Sequence, residues 1–213
     1  MKSKVYRNDP LFLRNEFEKC GKWEIPVVKR QNIPCDDIDL IAVSNIKRNE
    51  EREHMKEKGV HFYVDDYRFD KFYRFPKRHL KKLQQYSFCL TPDFSSYAEM
   101  PLWRQMESVA KNRWVGAYWQ KHGIIVVPTI SWGTGRSFEF CFDGVEKGSI
   151  VSVGMQGCKR NNNTGFMTGY NAMLNKIEPR KIICYGNPFP EMKGDLIVVK
   201  QDRNKKERKS NGR

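Results

Sequence analysis

Three aspartates occupy positions where paired carboxylates could do chemistry. Asp65 and Asp66 follow one apolar run, and Asp93 follows the next run along the chain. If these runs are neighbouring strands of a parallel sheet, the carboxylates meet at the edge where α/β folds bind ligands. Carboxylates paired there could exchange protons with a substrate or coordinate Mg²⁺, the only cofactor that this pattern suggests. No other metal site is predicted, because Cys and His do not cluster at the short spacings that such a site needs.

The same aspartates have a purely structural alternative. Asp66 and Asp93 stand where βα turns are expected, and a carboxylate there often accepts hydrogen bonds from the first backbone N–H groups of the next helix. The sequence leaves capping and catalysis open. None of the four histidines directly follows a predicted strand, so no histidine base is predicted at this edge.

Polar and aromatic residues also follow the other apolar runs, so we expect a ligand pocket at the same edge. Its predicted lining residues are Asn45, Ser131, Trp132, Gln156, Tyr185 and Asn187. Trp132 and Tyr185, together with Tyr118, offer rings that could pack on a cyclic ligand. Residues 133–137 could hold a phosphate through backbone amides and Arg136, but they lack a complete phosphate-binding motif. A flexible turn is the favoured interpretation of this segment.

Seven runs rich in Val, Ile and aromatic residues must position these side chains. The predicted strands cover residues 38–45, 60–66, 88–93, 124–132, 150–157, 181–187 and 195–200. Their nearly continuous apolar character is typical of parallel strands that are covered on both faces. Apolar stripes predict a helix after Pro101 and another over 166–177, with a shorter third over 138–145. A polar helix is predicted over 47–58.

Repeated strand–helix alternation predicts right-handed βα units, and therefore an α/β fold with a mostly parallel sheet. We expect a small or incomplete βα barrel, because a complete eight-fold barrel takes about 250 residues and this chain has 213. A missing strand could come from residues 23–28. The predicted organisation is an N-terminal extension packing on the core (1–37), an α/β domain (38–200) and a disordered basic tail (201–213).

The net charge of +14, from 39 Lys and Arg against 25 Asp and Glu, favours polyanionic partners. Residues 67–86 concentrate this charge and interleave it with aromatic side chains. The predicted nucleic-acid contacts are Arg68, Arg74, Lys77, Arg78, Lys81 and Lys82, with help from the tail. In the alternative interpretation, Phe69, Phe72 and Phe75 pack on the sheet at helical spacing and leave the basic residues as a solvated face.

The cysteines and the hydropathy of the sequence predict the cellular compartment of the protein. The six cysteines include no CxxC pair and most have apolar neighbours, so we expect reduced thiols and no disulfide-linked partner. The sequence contains no apolar signal region and no run of membrane-spanning length, so we expect a cytoplasmic protein without a membrane partner.

One predicted helix carries an unusual concentration of large rings beside a charge. Trp114, Tyr118 and Trp119 follow Arg113, and burial beneath the sheet is the expected place for these rings. We expect Arg113 to be buried with them and to make a hydrogen-bonded fork to a carboxylate such as Asp93.

Several short motifs, in order along the chain, resemble a known family. They are Thr91-Pro92-Asp93-Phe94-Ser95, Met100-Pro101, Asn112-Arg113-Trp114, Gly116-Ala117-Tyr118-Trp119-Gln120, Pro128-Thr129, Ser131-Trp132, Phe140-Cys141-Phe142-Asp143-Gly144 and Ile183-Cys184-Tyr185-Gly186. Through them the chain is similar to the domain of unknown function 4417, over roughly residues 38–200. The resemblance implies a phage, plasmid or other mobile element in a bacterial host cell. It assigns no reaction and no catalytic residue.

These observations predict an accessory protein of a mobile element that associates with nucleic acid through its basic aromatic segment. The alternative is an enzyme whose strand-end carboxylates act on a phosphorylated or sugar-like substrate. A third class, a binding module for a small ligand or a host protein, would have a pocket without titratable groups. Whether the protein is an enzyme, whether it prefers DNA or RNA, and its oligomeric state stay open.

Overall fold

The computed structural model describes residues 3–46, 55–158 and 163–201. The chain begins with helices α1 (Ser3–Arg7) and α2 (Pro10–Leu13), followed by the antiparallel strands β1 (Lys19–Cys20) and β2 (Ile25–Pro26). Asp9 starts α2, because its carboxylate accepts a hydrogen bond from the Leu11 backbone N–H. Ile25 and Val28 are buried, so this part of the chain packs on the core. Residues 23–28 supply one side of a hairpin and a bridge to Val145, rather than the extra strand of the parallel sheet that we expected.

Seven further strands, within the described residues, overlap the predicted runs, and the second of them begins two residues before its run of 60–66. They are β3 (Asp39–Ala42), β4 (Lys58–His61), β5 (Phe88–Leu90), β6 (Val126–Val127), β7 (Ile150–Gly154), β8 (Lys181–Tyr185) and β9 (Leu196–Val199). They form a four-stranded sheet in the order β3-β4-β5-β6 and a three-stranded sheet in the order β7-β8-β9. All of these pairings are parallel, so the predicted α/β fold with parallel strands is confirmed.

The two sheets are joined by hydrogen bonds just beyond β6. The Ser152 N–H donates to the Pro128 carbonyl at 2.9 Å, and the Ile130 N–H donates to the Ser152 carbonyl at 2.8 Å. Each strand is shorter than its predicted run, because residues at the ends of the runs, apolar ones such as Phe62 and Ile124 included, lie outside the strands. Barrel formation therefore stays a prediction.

The helices lie between the strands along the chain. They are α3 (Asp66–Arg74), α4 (Leu80–Leu83), α5 (Leu102–Lys121) and α6 (Thr164–Ile177), with 3₁₀ turns at Pro76–His79 and Gly135–Glu139. The predictions of α5 and α6 are confirmed. Most of the predicted polar helix, residues 47–54, lies outside the described part of the chain, and Lys58 already belongs to β4.

The short helix predicted over 138–145 is wrong. One 3₁₀ turn ends at Glu139, and the chain then continues as turns. The backbone carbonyls of Cys141 and Asp143 accept hydrogen bonds from the Arg113 guanidinium, and Gly144 adopts a φ of +75°, which a helix does not allow. Phe140, Cys141 and Phe142 are buried by these turns instead of by a helical face, and Phe138 and Val145 are half-buried.

The core has three parts. One cluster packs the aromatic residues of α3 and α5 against β4, including Phe69, Phe72, Trp114 and Trp119. A second packs α6 against β7 and β8. Its members include Tyr170, Met173 and Ile182. The third unites residues of both sheets, among them Leu40, Leu90, Val127, Ile150 and Ile183. Within the described residues, no helix is both long and apolar enough to cross a bilayer. All six cysteines are free thiols.

Arg113 is buried as expected, but its partners differ from the predicted carboxylate. Its guanidinium donates to the backbone carbonyls of Thr129, Cys141 and Asp143 at 2.9 to 3.0 Å, and to the Asn112 side-chain oxygen. Asp93 is not among these partners. Burial lowers the pKa of Arg113 to about 10, so the side chain stays charged at neutral pH. The residue thereby ties α5 to the loop after β6 and to the turns at 141–143.

We predict that Arg113→Ala destabilises the protein by about 3 kcal/mol or more, because three buried carbonyls lose a charged donor. The matched control is Arg104→Ala on the same helix. Arg104 is exposed and forms an ion pair with Glu107, so its loss should change the free energy of unfolding by less than about 1 kcal/mol. Urea unfolding monitored by tryptophan fluorescence measures both, and equal effects of the two substitutions would contradict the assigned role.

Candidate functional site at the strand ends

A cavity of about 850 Å³ opens at the carboxyl ends of the parallel strands. It brings together predicted residues that are far apart in sequence: Asn45, Asp65, Asp66, Asp93, Ser131, Trp132, Gln156 and Tyr185. They meet because every strand from β3 to β8 runs in the same direction, so the residues after each strand reach the same side of the sheets. Arg68, predicted as a nucleic-acid contact, also lines this cavity.

Two of the residues expected at a pocket lie elsewhere. Asn187 is exposed on the loop after β8 and does not line the cavity. Tyr118 is buried on α5, where its ring stacks on Trp114 with a centroid distance of 5.0 Å. The helical spacing of Tyr118 with Trp114 turns it into the core and away from the strand ends.

Asp66 is held by a serine of the neighbouring loop. Its carboxylate accepts hydrogen bonds from the Ser95 backbone N–H at 3.1 Å and from the Ser95 hydroxyl at 2.8 Å. Asp66 lies in the first turn of α3, and neither of these donors belongs to that helix. The capping alternative is therefore wrong for Asp66.

Asp93 also does not cap a helix, since α5 begins nine residues later, at Leu102. It accepts a hydrogen bond from the Ser131 side chain. Burial and, secondly, the negative charge of Asp66 raise the pKa of Asp93 to about 7, and the Ser131 bond opposes this only in part. A carboxyl with this pKa exists in both protonation states near neutral pH, as a general acid or base requires.

Asp65 does not join this carboxylate pair. It is the N-cap residue of α3 without a side-chain capping bond, and its carboxylate lies 3.6 Å from the Arg68 guanidinium. Within the part of the chain that the structure describes, no group of three or more His, Cys, Asp or Glu side chains could hold a metal ion. The three predicted Asp residues therefore do not converge as a ligand set for Mg²⁺.

A polar network fixes the loops that carry Asp93 and Ser131. The Thr129 N–H donates to the Thr91 hydroxyl at 2.7 Å, and the Thr129 hydroxyl donates to the Thr91 carbonyl at 2.8 Å. The Asn112 side chain donates to the Pro92 carbonyl at 2.8 Å and reaches the Thr129 carbonyl at 3.3 Å. Because these groups are buried, the network sets the backbone position of Asp93 against the end of β6.

His61 lines the cavity, although the sequence analysis placed no histidine there. It is the last residue of β4 and is fully buried, and burial lowers its pKa to about 4. Its Nδ1 accepts a hydrogen bond from the Tyr63 backbone N–H at 3.3 Å. The neutral ring must then carry its proton on Nε2, and that buried nitrogen has no partner among the described residues. A residue of the cavity lining therefore carries a buried donor without a partner in the described part of the chain.

Sequence periodicity could have found His61. Val60 and Phe62 pack in the core beneath α3 and α5, so the alternate residues His61 and Tyr63 must face the other side of the sheet. The prediction failed because the strand was expected to continue to residue 66. It ends at His61, and a tight turn with a hydrogen bond from the Val64 N–H to the Phe62 carbonyl follows.

The cavity floor joins the two sheets through Tyr63. Its hydroxyl lies 2.7 Å from the Ser152 hydroxyl, and its ring stacks on Tyr185 at 4.9 Å with an interplanar angle of 9°. Gly154 makes room for this ring, since a Cβ at that position would lie 2.6 Å from Tyr63. Burial raises the pKa of Tyr63 well above its usual range, so the phenol remains protonated.

The predicted nucleic-acid residues lie mainly on the surface of α3, α4 and the turn between them. Arg74, Lys77, Arg78 and Lys81 are exposed, whereas Lys82 donates to the Ile46 carbonyl at 2.8 Å. Phe69 and Phe72 are buried, as the packing interpretation expected, but Phe75 is 42% exposed. The guanidinium groups of Arg74 and Arg78 lie over the Phe75 ring at 5.6 and 4.5 Å.

The Gly-rich segment 133–137 forms a closed turn. The Ser137 hydroxyl accepts from the Gly133 N–H at 3.2 Å and donates to the Thr134 carbonyl at 2.7 Å. The five-residue 3₁₀ helix Gly135–Glu139 overlaps the end of this segment and leaves Arg136 exposed. This arrangement agrees with the turn that was favoured over a phosphate site.

Comparison with known proteins identifies the family of the chain. The sequence profile described as "Domain of unknown function (DUF4417)" matches residues 17–202. The chain belongs to this family. The match confirms the resemblance that the short motifs along the chain suggested, and it extends farther toward the N-terminus than the expected range of roughly 38–200.

Two relatives of this DUF4417 chain are phage gene products. It is 35% identical over 181 residues to the Gene 1 protein of Mycobacterium phage L5, covering 84% of this chain and 77% of the relative. It is also 35% identical over 181 residues to the Gene 1 protein of Mycobacterium phage D29, covering 84% of this chain and 66% of the relative, just under two thirds. The expected link of the family to phages is confirmed, and no solved structure matches the chain.

We predict that Asp93→Asn stabilises the protein at about pH 8 by roughly 1 to 4 kcal/mol. The folded-state pKa of Asp93 is raised, so between about pH 4 and 7 the folded protein keeps a proton that the unfolded chain has released. Stability is therefore lost as the pH rises through this window. The gain from the substitution should be absent near pH 4 and complete above pH 7.

Urea unfolding of both proteins across this pH range measures the effect. The contribution of His61 to the pH dependence of stability has the opposite sign, because its lowered pKa adds stability as the pH rises from about 4 to 6.5. The difference between the two proteins isolates Asp93 from this contribution. Asp195→Asn, at an exposed carboxylate paired with Lys181, is the matched control. A gain from Asp93→Asn that is the same at every pH would show that the Asp93 carboxyl is not perturbed.

Proposed function

We propose that the protein is an enzyme that transfers protons to or from a phosphorylated or sugar-like substrate in the strand-end cavity. The observation that carries the proposal is the Asp93 carboxyl in the cavity beside Asp66: burial and, secondly, the negative charge of Asp66 raise the pKa of Asp93 to about 7. Enzymes use carboxyl groups with such values as acids and bases near neutral pH. The perturbation occurs inside a cavity and not in a surface ion pair, which favours a functional interpretation.

The two carboxylates would have different roles. Asp66 receives two hydrogen bonds from Ser95, which hold its carboxylate in position. Asp93 would exchange the proton. Asn45, Gln156 and the donor at His61 Nε2 would orient the substrate, because they line the same cavity. The proposal needs no metal ion, since proton transfer between a carboxyl group and a substrate is complete without one.

The proposed scaffold for this site is an incomplete βα barrel. The third core cluster combines residues of both sheets, and Tyr63 after β4 contacts Tyr185 of β8 and Ser152 of β7. Contacts between strands that are not neighbours in the sheet order are what a rolled sheet produces. Such a shape would enclose the cavity on several sides.

We predict that Asp93→Asn lowers turnover by about 10²- to 10⁴-fold, the usual contribution of a general acid or base. The substrate can be sought by incubating the wild-type protein with a metabolite extract of host bacteria and following it by mass spectrometry. A compound that wild-type protein consumes, and that Asp93→Asn leaves intact, would be the substrate. The rate should change as the pH passes through about 7, rising if Asp93 acts as a base and falling if it acts as an acid.

The control is Asp195→Asn, which removes an exposed carboxylate paired with Lys181 and should turn over normally. Asp66→Asn should lower activity and also lower the apparent pKa of the reaction, because Asp66 contributes to the raised pKa of Asp93. Equal turnover by the wild-type, Asp93→Asn and Asp66→Asn proteins would exclude acid–base catalysis by this pair.

The second candidate function is nucleic-acid association through the exposed basic surface formed by Arg74, Lys77, Arg78 and Lys81. Seven Lys and Arg face two Asp between residues 66 and 84, and the exposed Phe75 ring lies among them. The phage relatives favour this function, because it fits an accessory protein of a mobile element inside its bacterial host. It is compatible with an enzyme, since α3 carries both Arg68, which lines the cavity, and Arg74 of the basic surface.

We expect Arg74→Glu, Lys77→Glu and Arg78→Glu in combination to abolish binding to DNA or RNA, and wild-type affinity to fall steeply with salt concentration. Fluorescence anisotropy of labelled oligonucleotides at increasing salt measures both effects. The matched control reverses three exposed charges elsewhere, with Lys176→Glu, Arg180→Glu and Lys193→Glu. If the control weakens binding as strongly, the interaction reflects net charge and not this surface.

A further inference from the structure

The mouth of the cavity carries two tyrosines whose exposure is unusual for large rings. Tyr67 is 73% exposed and Tyr97 is 60% exposed, and both line the cavity. The Tyr97 hydroxyl lies 3.1 Å from the Ser95 hydroxyl, which in turn donates to Asp66. These tyrosines therefore stand next to the proposed reacting carboxylates and leave their rings open to a ligand.

A cation accompanies the two rings. Arg68 lines the same cavity and lies 3.6 Å from Asp65, and its guanidinium is 5.3 Å from the centroid of the Tyr67 ring. The Arg68 side chain is 46% exposed, so a phosphate at the mouth could reach it. Aromatic rings that stack on a base, next to an arginine that pairs with a phosphate, are common features of nucleotide-binding sites.

His61, which lines the cavity, carries a hydrogen-bond donor that no described residue uses. Its buried Nε2 has no partner in the described part of the chain, and Nδ1 is already occupied by the Tyr63 N–H. Leaving such a donor unpaired is costly, which favours a ligand that brings an acceptor to it. The carbonyl oxygens and ring nitrogens of nucleobases are acceptors of this kind.

We propose that the cavity binds a nucleotide unit, whose base stacks on Tyr67 and Tyr97 and presents an acceptor to His61, while its phosphate pairs with Arg68. This inference rests on the proposed function, because it names the class of substrate that Asp66 and Asp93 would meet. The unit could be a free nucleotide or one nucleotide of a single strand. In the second case the strand would continue over the basic surface, since α3 leads from Arg68 to Arg74.

The test compares three probes by isothermal titration calorimetry: 5′-mononucleotides, ribose 5-phosphate and a short single-stranded oligonucleotide. We expect saturable binding of a mononucleotide or of the oligonucleotide, and at least ten-fold weaker binding of ribose 5-phosphate, which has no base. Tyr67→Ala with Tyr97→Ala should weaken nucleotide binding by about 5- to 100-fold, the range that loss of stacking rings produces. Arg68→Ala should weaken it by about ten-fold.

Two matched controls lie away from the cavity. Trp23→Ala removes a ring that is 40% exposed on the N-terminal hairpin, and Arg180→Ala removes an exposed charge just before β8, at the opposite end of the strands. Both should bind like the wild-type protein. Binding of the mononucleotide identifies a free nucleotide as the ligand, whereas binding of the oligonucleotide alone identifies a strand.

His61 is tested by a pair of substitutions. His61→Phe keeps a ring but removes the donor and should weaken nucleotide binding by about ten-fold, whereas His61→Gln keeps a donor and should restore most of it. Circular dichroism melting establishes that each variant is folded. If both folded variants bind like the wild-type protein, the assignment of His61 is overturned.

The inference as a whole is overturned if neither mononucleotides nor the oligonucleotide bind, if ribose 5-phosphate binds equally well, or if the double Tyr variant binds normally. These outcomes test nucleotide binding and can be distinguished from a failure of the proposed acid–base catalysis. Nucleotide binding by a wild-type protein that shows no turnover would leave this inference standing and remove the catalytic role.

Discussion

The functional geometry depends on one constraint, the common direction of the strands that carry the polar residues. In the pairing of β4 with β5, Gly59 lies opposite Phe88 and Val60 opposite Cys89, so both strands deliver their following residues to one side. Asp66 and Asp93 thus come close enough for the negative charge of Asp66 to disfavour ionisation of Asp93. Antiparallel pairing of the same strands would separate these carboxylates by the length of the sheet.

Holding two carboxylates together in a partly buried place opposes folding, so the surrounding structure must offset this cost. Around Asp93 it does so with the hydrogen bond from Ser131 and with the polar network of Thr91, Asn112, Arg113 and Thr129. The network groups are buried and bonded to one another or to backbone carbonyls. This rigidity keeps the Asp93 carboxyl beside Asp66, although repulsion would otherwise move it toward solvent.

The cavity and the basic surface share an element of structure. Helix α3 starts with Asp66 at the cavity, carries Arg68 in its first turn and ends at Arg74, while Phe69 and Phe72 anchor its other face in the core. One amphipathic helix therefore connects a pair of acidic groups to an exposed row of cations. A protein that acts at a small reactive site while it binds a polyanion needs the site and its basic surface to be adjacent, as α3 makes them here.

The sequence alone determined the positions of the parallel strands and the two long helices, because apolar runs and stripes report burial directly. It also placed Asp66, Asp93, Ser131 and Tyr185 at strand ends, since only the common direction of the strands was needed for that inference. Tertiary structure decided which side chains face one another. It showed that Asp65 turns to Arg68 and that Arg113 bonds carbonyls instead of Asp93. It also revealed that His61 lines the cavity and that its Nε2 has no partner among the described residues. These side-chain contacts depend on where each strand ends and on which groups compete for each hydrogen bond. Local sequence patterns determine neither of these.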